Sequence, residues 1–144
     1  MPCIGKTLVV EYDENNHMAD WKLVCEGTCP EGETCKSRRL GPENLPDGGE
    51  RYTHRCACKP EGDADTGQCN MIVFEDIRKV EGQTITTFKG KCIGRCPHST
   101  VRCRPVVVKE FKVAGVDSNE DFDLNHTPIH IIRHYRCICP DELV

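Results

Sequence analysis

The sequence predicts a small, disulfide-rich, all-β protein built from two tandem modules, and three observations carry that reading. First, the chain holds 12 cysteines in 144 residues, an even count at high density. Second, hydrophobic residues make up only 38%, cysteines included, with four Phe, three Tyr and one Trp. Ordering a chain of this length costs on the order of 200 kcal/mol in conformational entropy. So small an apolar set offsets that poorly, and covalent staples are expected, as in secreted disulfide scaffolds. Third, the cysteines repeat.

They fall at 3, 25, 29, 35, 56 and 58, then at 69, 92, 96, 103, 137 and 139. The two halves share an order of gaps that differs mainly by a longer stretch before the last pair. Cys25-Glu-Gly-Thr-Cys29-Pro30 lies over Cys92-Ile-Gly-Arg-Cys96-Pro97, and Arg55-Cys56-Ala-Cys58 over Arg136-Cys137-Ile-Cys139. Such self-similarity marks repeated structural units. The modules are placed at 1–60 and 68–144. The polar, glycine-containing stretch 61–67 is the linker.

Within each module the β signal is local. Leu8–Tyr12 and Met71–Phe74 are short β-prone runs, and Trp21–Val24 and Thr84–Phe88 follow them. Asp13–Asn16 and Glu81-Gly82 read as the turns of two hairpins. Arg51–Arg55 is the last strand of the first module. Val106–Phe111 and Ile129–Tyr135 are the arms of a longer hairpin in the second. No capped amphipathic helix is evident.

Each half also carries a glycine between two cysteines. If Cys25 joins Cys56 and Cys29 joins Cys58, the two bridges close a ring of eight residues, and a Cys3–Cys35 bridge has room to pass through it. Gly27, lacking Cβ, leaves that room. Gly94 occupies the same place in the second half, with Cys92–Cys137 and Cys96–Cys139 as the ring and Cys69–Cys103 as the thread. Six cysteines allow 15 pairings and spacing alone does not choose among them. The central glycine favours this one.

These motifs, Cys-x-Gly-x-Cys and a closing Cys-x-Cys, resemble those of the cystine-knot growth factor superfamily. The short gaps Cys29–Cys35 and Cys96–Cys103 are most similar to its platelet-derived and vascular endothelial growth factor branch. The resemblance implies tandem cystine-knot modules with β-hairpin fingers. It further implies a secreted ligand or ligand-antagonist that engages a receptor ectodomain or another growth factor. With six cysteines per module none is spare for an interchain bridge, so the linker is expected to make one chain a pseudo-dimer. Homodimerisation is the further assembly to consider. A venom or host-directed effector on the same scaffold, and a structural matrix or secretion protein, are the alternative readings.

Strand apolars outside the bridges must be covered or stay exposed. Leu8, Val10, Tyr12, Trp21, Leu23, Ile72, Phe74, Phe88, Val106, Val108, Ile129 and Ile131 are the candidates, and most are expected to cover each other between modules or in a homodimer. The partner-binding set nominated from the sequence is Trp21, Val106, Val108, Phe111, Ile129 and Ile131.

Cys-x-Cys pairs and six histidines suggest a metal, but the C-x2-C spacing of structural zinc is absent and all cysteines fit the repeat. No metal and no cofactor are expected. His130 and His134 share a strand face, and His126 precedes Pro128. Asp117–Asp123 spaces acids like a calcium loop, yet Phe122 replaces the glycine and Pro128 the final glutamate. Asn125-His-Thr127 is a glycosylation sequon. Residues 1–68 carry 8 lysines and arginines against 13 acids, and residues 69–144 carry 11 against 10. Arg38, Arg39, Lys89, Lys91, Arg95, Arg102 and Arg104 are candidates for a strip that meets a sulphated glycan. The net charge of −4 without a strong basic block argues against nucleic acid. No apolar run reaches 18 residues, so no membrane insertion is expected. Met1 just before Cys3 is read as standing on a mature chain, or else a leader lies outside the sequence. Ser37, Ser99 and Ser118 lack any catalytic setting, and no odd cysteine is left over, so an enzyme is not expected.

Overall fold

The computed structural model describes residues 2–97, 101–114 and 129–139. These form eight strands, and no helix occurs among the described residues. The strands are β1 (Ile4–Tyr12), β2 (Met18–Glu26), β3 (Lys36–Asn44), β4 (Glu50–Ala57), β5 (Asn70–Val80), β6 (Gln83–Ile93), β7 (Arg104–Ala114) and β8 (Ile129–Ile138). Each consecutive pair β1–β2, β3–β4, β5–β6 and β7–β8 is antiparallel.

Turn chemistry closes the first and third of these. Asp13 Oδ1 accepts from the backbone N–H of Asn15 and His17, each at 2.9 Å, and Asn16 takes φ 62°. Glu81 and Gly82, with φ 52° and 78°, are the two residues between paired Val80 and Gln83. Two consecutive positive φ values match the twist of flanking strands.

Strand β3 was not evident from the sequence. Its residues, Lys-Ser-Arg-Arg-Leu-Gly-Pro-Glu-Asn, are polar and do not alternate. It lies at a sheet edge, and Gly41 and Pro42 fall where its register shifts between Leu40 and Glu43. A proline is tolerated there because no second neighbour needs its missing N–H.

The four pairs assemble into two four-stranded antiparallel sheets, ordered β2-β1-β8-β7 and β3-β4-β5-β6. Each sheet takes one pair from before the linker and one from after it. The joints are β1–β8, where Leu8 faces Tyr135 and Val10 faces Arg133, and β4–β5, where Thr53 faces Phe74. Exchanging β1–β4 for β5–β8 converts one sheet order into the other.

The core lies between the sheets: Leu8, Val10 and Leu23 from one, Cys56, Met71 and Val73 from the other. Burial of such side chains stabilises by roughly 1.5–3 kcal/mol each. On β5 the seam uses Met71 and Val73 rather than the nominated Ile72 and Phe74. Ile72 is buried on the other face of the strand. Phe74, also there, is half-buried beneath the Arg51 guanidinium, 4.2 Å from the ring centroid.

Six disulfides staple the chain, and no cysteine is free. They are Cys3–Cys35, Cys25–Cys56, Cys29–Cys58, Cys69–Cys103, Cys92–Cys137 and Cys96–Cys139. In the first half, two bridges tie residues 25–29 to 56–58. A Cβ on Gly27 would run into the Pro2 carbonyl and come 2.7 Å from Cys3 Cα. In the second half a Cβ on Gly94 would run into the Gln68 carbonyl and come 2.9 Å from the Cys69 nitrogen. So the chain entering each half lies directly against that half's glycine.

Candidate functional site

An apolar groove of about 310 Å³ opens between the two sheets. Alternation along β1 turns Leu8, Val10 and Tyr12 to one face, and pairing places Trp21 beside Val10 and Leu23 beside Leu8. Met71 and Val73 line the groove from β5, Phe88 from β6 and Tyr135 from β8. Both halves of the chain therefore build it. A glycine keeps one wall close: a Cβ on Gly90 would approach Leu8 Cδ2 to 2.8 Å.

Aromatic rings organise the mouth. Trp21 meets His54 edge-on at 4.9 Å and lies 5.5 Å from Phe88. The Tyr12 and Tyr135 hydroxyls are 2.9 Å apart, a hydrogen bond between the two halves. Burial, followed by that bond, pushes the Tyr12 hydroxyl above its ordinary pKa. Met18 and Phe88 remain 39% and 37% exposed, so the lip of the groove is apolar and open.

Charged groups sit beside it in fixed pairs. Glu75 accepts from Arg39 at 2.9 and 3.1 Å and lies 2.8 Å from His54 Nε2. The Arg39 guanidinium, and then His54, hold the Glu75 carboxyl below the usual range. Arg39 also covers the Tyr52 ring at 3.4 Å. On the opposite face of the same sheet, Arg51 donates to both oxygens of Asp76, at 2.7 and 2.9 Å.

The nominated partner-binding residues do not form one surface. Trp21 lines the groove, and Ile131 faces Tyr12 across the β1–β8 joint. Val106 and Phe111 pair with Arg136 and Ile132, which alternate to the other face of that sheet. Phe111 there meets the His134 ring at 5.5 Å. Val108 falls at the register shift between Val107 and Lys109 and is exposed. Ile129 opens β8 opposite Ala114. Asn125, His126 and the acidic run Asp117–Asp123 lie outside the described residues. Met18 and Tyr135 were missed, although Tyr135 alternates with Ile131 on β8 and that period was available.

The basic candidates divide as well. Arg38 donates to the carbonyls of Thr34, Ala57 and Cys58, and Arg39 is held by Glu75. Lys89 and Lys91 lie on β6, Arg95 and Arg102 are bridged to each other, and Arg104 starts β7.

Three sulphurs cluster in each half, those of Cys3, Cys29 and Cys58 and those of Cys69, Cys103 and Cys137, all within 4.8 Å of one another. Each is in a disulfide, and a metal would need thiolates. The clusters bring Cys3 of one bridge up to the Cys29–Cys58 bridge, and the Cys69–Cys103 bridge up to Cys137 of another. Among the described residues no helix is long and apolar enough to cross a membrane.

Compared with family models, curated proteins and solved structures, this chain matches none.

Proposed function

We propose that this chain is a secreted, non-enzymatic binding protein whose two cystine-knot modules are joined head to tail as a pseudo-dimer. Its partner is an extracellular protein, a receptor ectodomain or a growth factor, gripped at the groove between the sheets. Six disulfides are typical of extracellular proteins. The exchange symmetry of the sheets and the close approach of each entering segment to Gly27 or Gly94 support the modular reading.

One observation carries the binding role: Trp21, Phe88, Met18 and Tyr12 gather at an open apolar groove on a frame stapled by disulfides. Aromatic anchors dominate protein interfaces. A rigid frame loses little conformational entropy on docking.

The test is a binding screen against a panel of extracellular receptor ectodomains and growth factors, followed by substitution. Trp21→Ala and Phe88→Ala should each weaken a saturable partner by about tenfold or more. Phe111→Ala, on the other face, should change affinity less than about twofold. Disulfide mapping of each variant confirms that the frame is intact. The reverse pattern would move the site to the β7–β8 finger.

A further inference from the structure

A second hollow, of about 480 Å³, lies where β1, the linker and the end of β8 meet. Three cations line it: Lys6, Arg95 and Arg136. Among the described residues no carboxylate does. Thr66 and Gln68 add neutral polar groups. Arg136 Nε is buried and has no hydrogen-bond partner among the described residues. A buried donor left unpaired is costly, and a guanidinium suits a bidentate oxyanion. Arg95 is held in place by its backbone, whose N–H donates to the Gly67 carbonyl at 2.9 Å.

Arg95 also lines a neighbouring open hollow of about 230 Å³, together with Lys91 and Arg102. Among the described residues that hollow has no acid either. Five cations thus follow one another through two adjoining hollows, in a chain whose net charge is −4. Asp63 and Asp65 of the linker line a third hollow, which shares Ile4, Thr66 and Gln68 with the larger of these two. They accept from the backbone N–H of Cys58 and Gly67, at 2.8 and 2.9 Å.

We infer that these two hollows form a binding site for a sulphated glycan, with one sulphate group seated among Lys6, Arg95 and Arg136 and the chain continuing past Arg102 and Lys91. The spacing of cations over two hollows suits a polymer with repeated oxyanions. Guanidinium groups suit tetrahedral oxyanions better than ammonium groups do. The site is distinct from the apolar groove and does not depend on the protein partner proposed for it.

The experiment is calorimetric titration with a size-defined heparin oligosaccharide, its desulphated form, inorganic sulphate and a polyglutamate peptide. The sulphated oligosaccharide should bind, with affinity that falls steeply as salt rises. Arg95→Glu and Arg102→Glu should each weaken it by about tenfold or more. Lys79→Glu, the same charge change on an exposed residue at the far end of β5, should alter it less than about twofold. Arg136→Lys keeps the charge but removes the fork, and should weaken binding while the disulfide map is unchanged. Equal binding of the desulphated form, tighter binding of polyglutamate, or equal losses in Lys79→Glu and Arg95→Glu would each overturn the assignment.

Discussion

The backbone N–H of Gly5 donates to Oδ1 of Asn70, a bond that joins β1 of the first half to β5 of the second. Asn70 is only 6% exposed, and a Cβ on Gly5 would run into the Met71 carbonyl beside it. Gly5 brings no side chain of its own to this crossing, so the Asn70 amide reaches its backbone. Replacing Asn70 by Ala would strand the Gly5 N–H in the interior. The expected cost is about 1–3 kcal/mol, measured by denaturant unfolding with the disulfides intact. A change below about 0.5 kcal/mol would show that the bond contributes nothing at this crossing.

Gly27 and Gly94 should be far less replaceable than other glycines with positive φ. Gly32, at φ 86°, has no atom within 4 Å of an added Cβ. Gly32→Ala should therefore cost about 1 kcal/mol of backbone strain and still form all six bridges. Gly27→Ala meets the Pro2 carbonyl, and Gly94→Ala that of Gln68. Both should fail to reach the native bridge pattern after oxidative refolding, as read by peptide mass mapping. Normal mapping of Gly27→Ala would mean that the entering segment can move aside.

Acid should weaken the β4–β5 joint. Arg51 holds the Asp76 carboxyl below its ordinary pKa, and Arg39 does the same for Glu75. Their unfolded values are about 4. Because the folded values lie lower, the unfolded chain takes up protons first as pH falls. The stability from both groups is therefore full above about pH 5 and is lost as pH falls through the folded values. Asp76→Asn should lower stability at neutral pH by about 1–3 kcal/mol and flatten the decline below pH 5. Denaturation midpoints from pH 7 to 3 would check it. An unchanged slope in Asp76→Asn would place the acid sensitivity elsewhere.

The halves should not unfold independently. Residues 1–60 alone leave β1 without β8 and β4 without β5. They also leave Leu8 and Val10 without Met71 and Val73. Two open sheet edges beside an uncovered apolar face favour self-association. Expressed alone, 1–60 should elute as a dimer or larger species, while the full chain unfolds in one transition. A stable monomeric 1–60 with native bridges would show that the modules are energetically separate.

What the sequence determined is local. The cysteine repeat and sparse apolar content gave an all-β, disulfide-rich class. Asp13–Asn16 and Glu81-Gly82 marked turns because only a few residue types accept their φ values. What the tertiary structure decided is which strands lie side by side. Alternation fixes which residues share a face of β5, but not that β4 and β6 flank it, so it could not tell whether Met71 and Val73 or Ile72 and Phe74 meet the opposing sheet. Strand β3 stayed hidden because its order comes from hydrogen bonds to β4 rather than from buried side chains. The groove and the larger cationic hollow stayed hidden for a similar reason: each draws on residues far apart in the chain, brought together only when the hairpins of one half join the hairpins of the other.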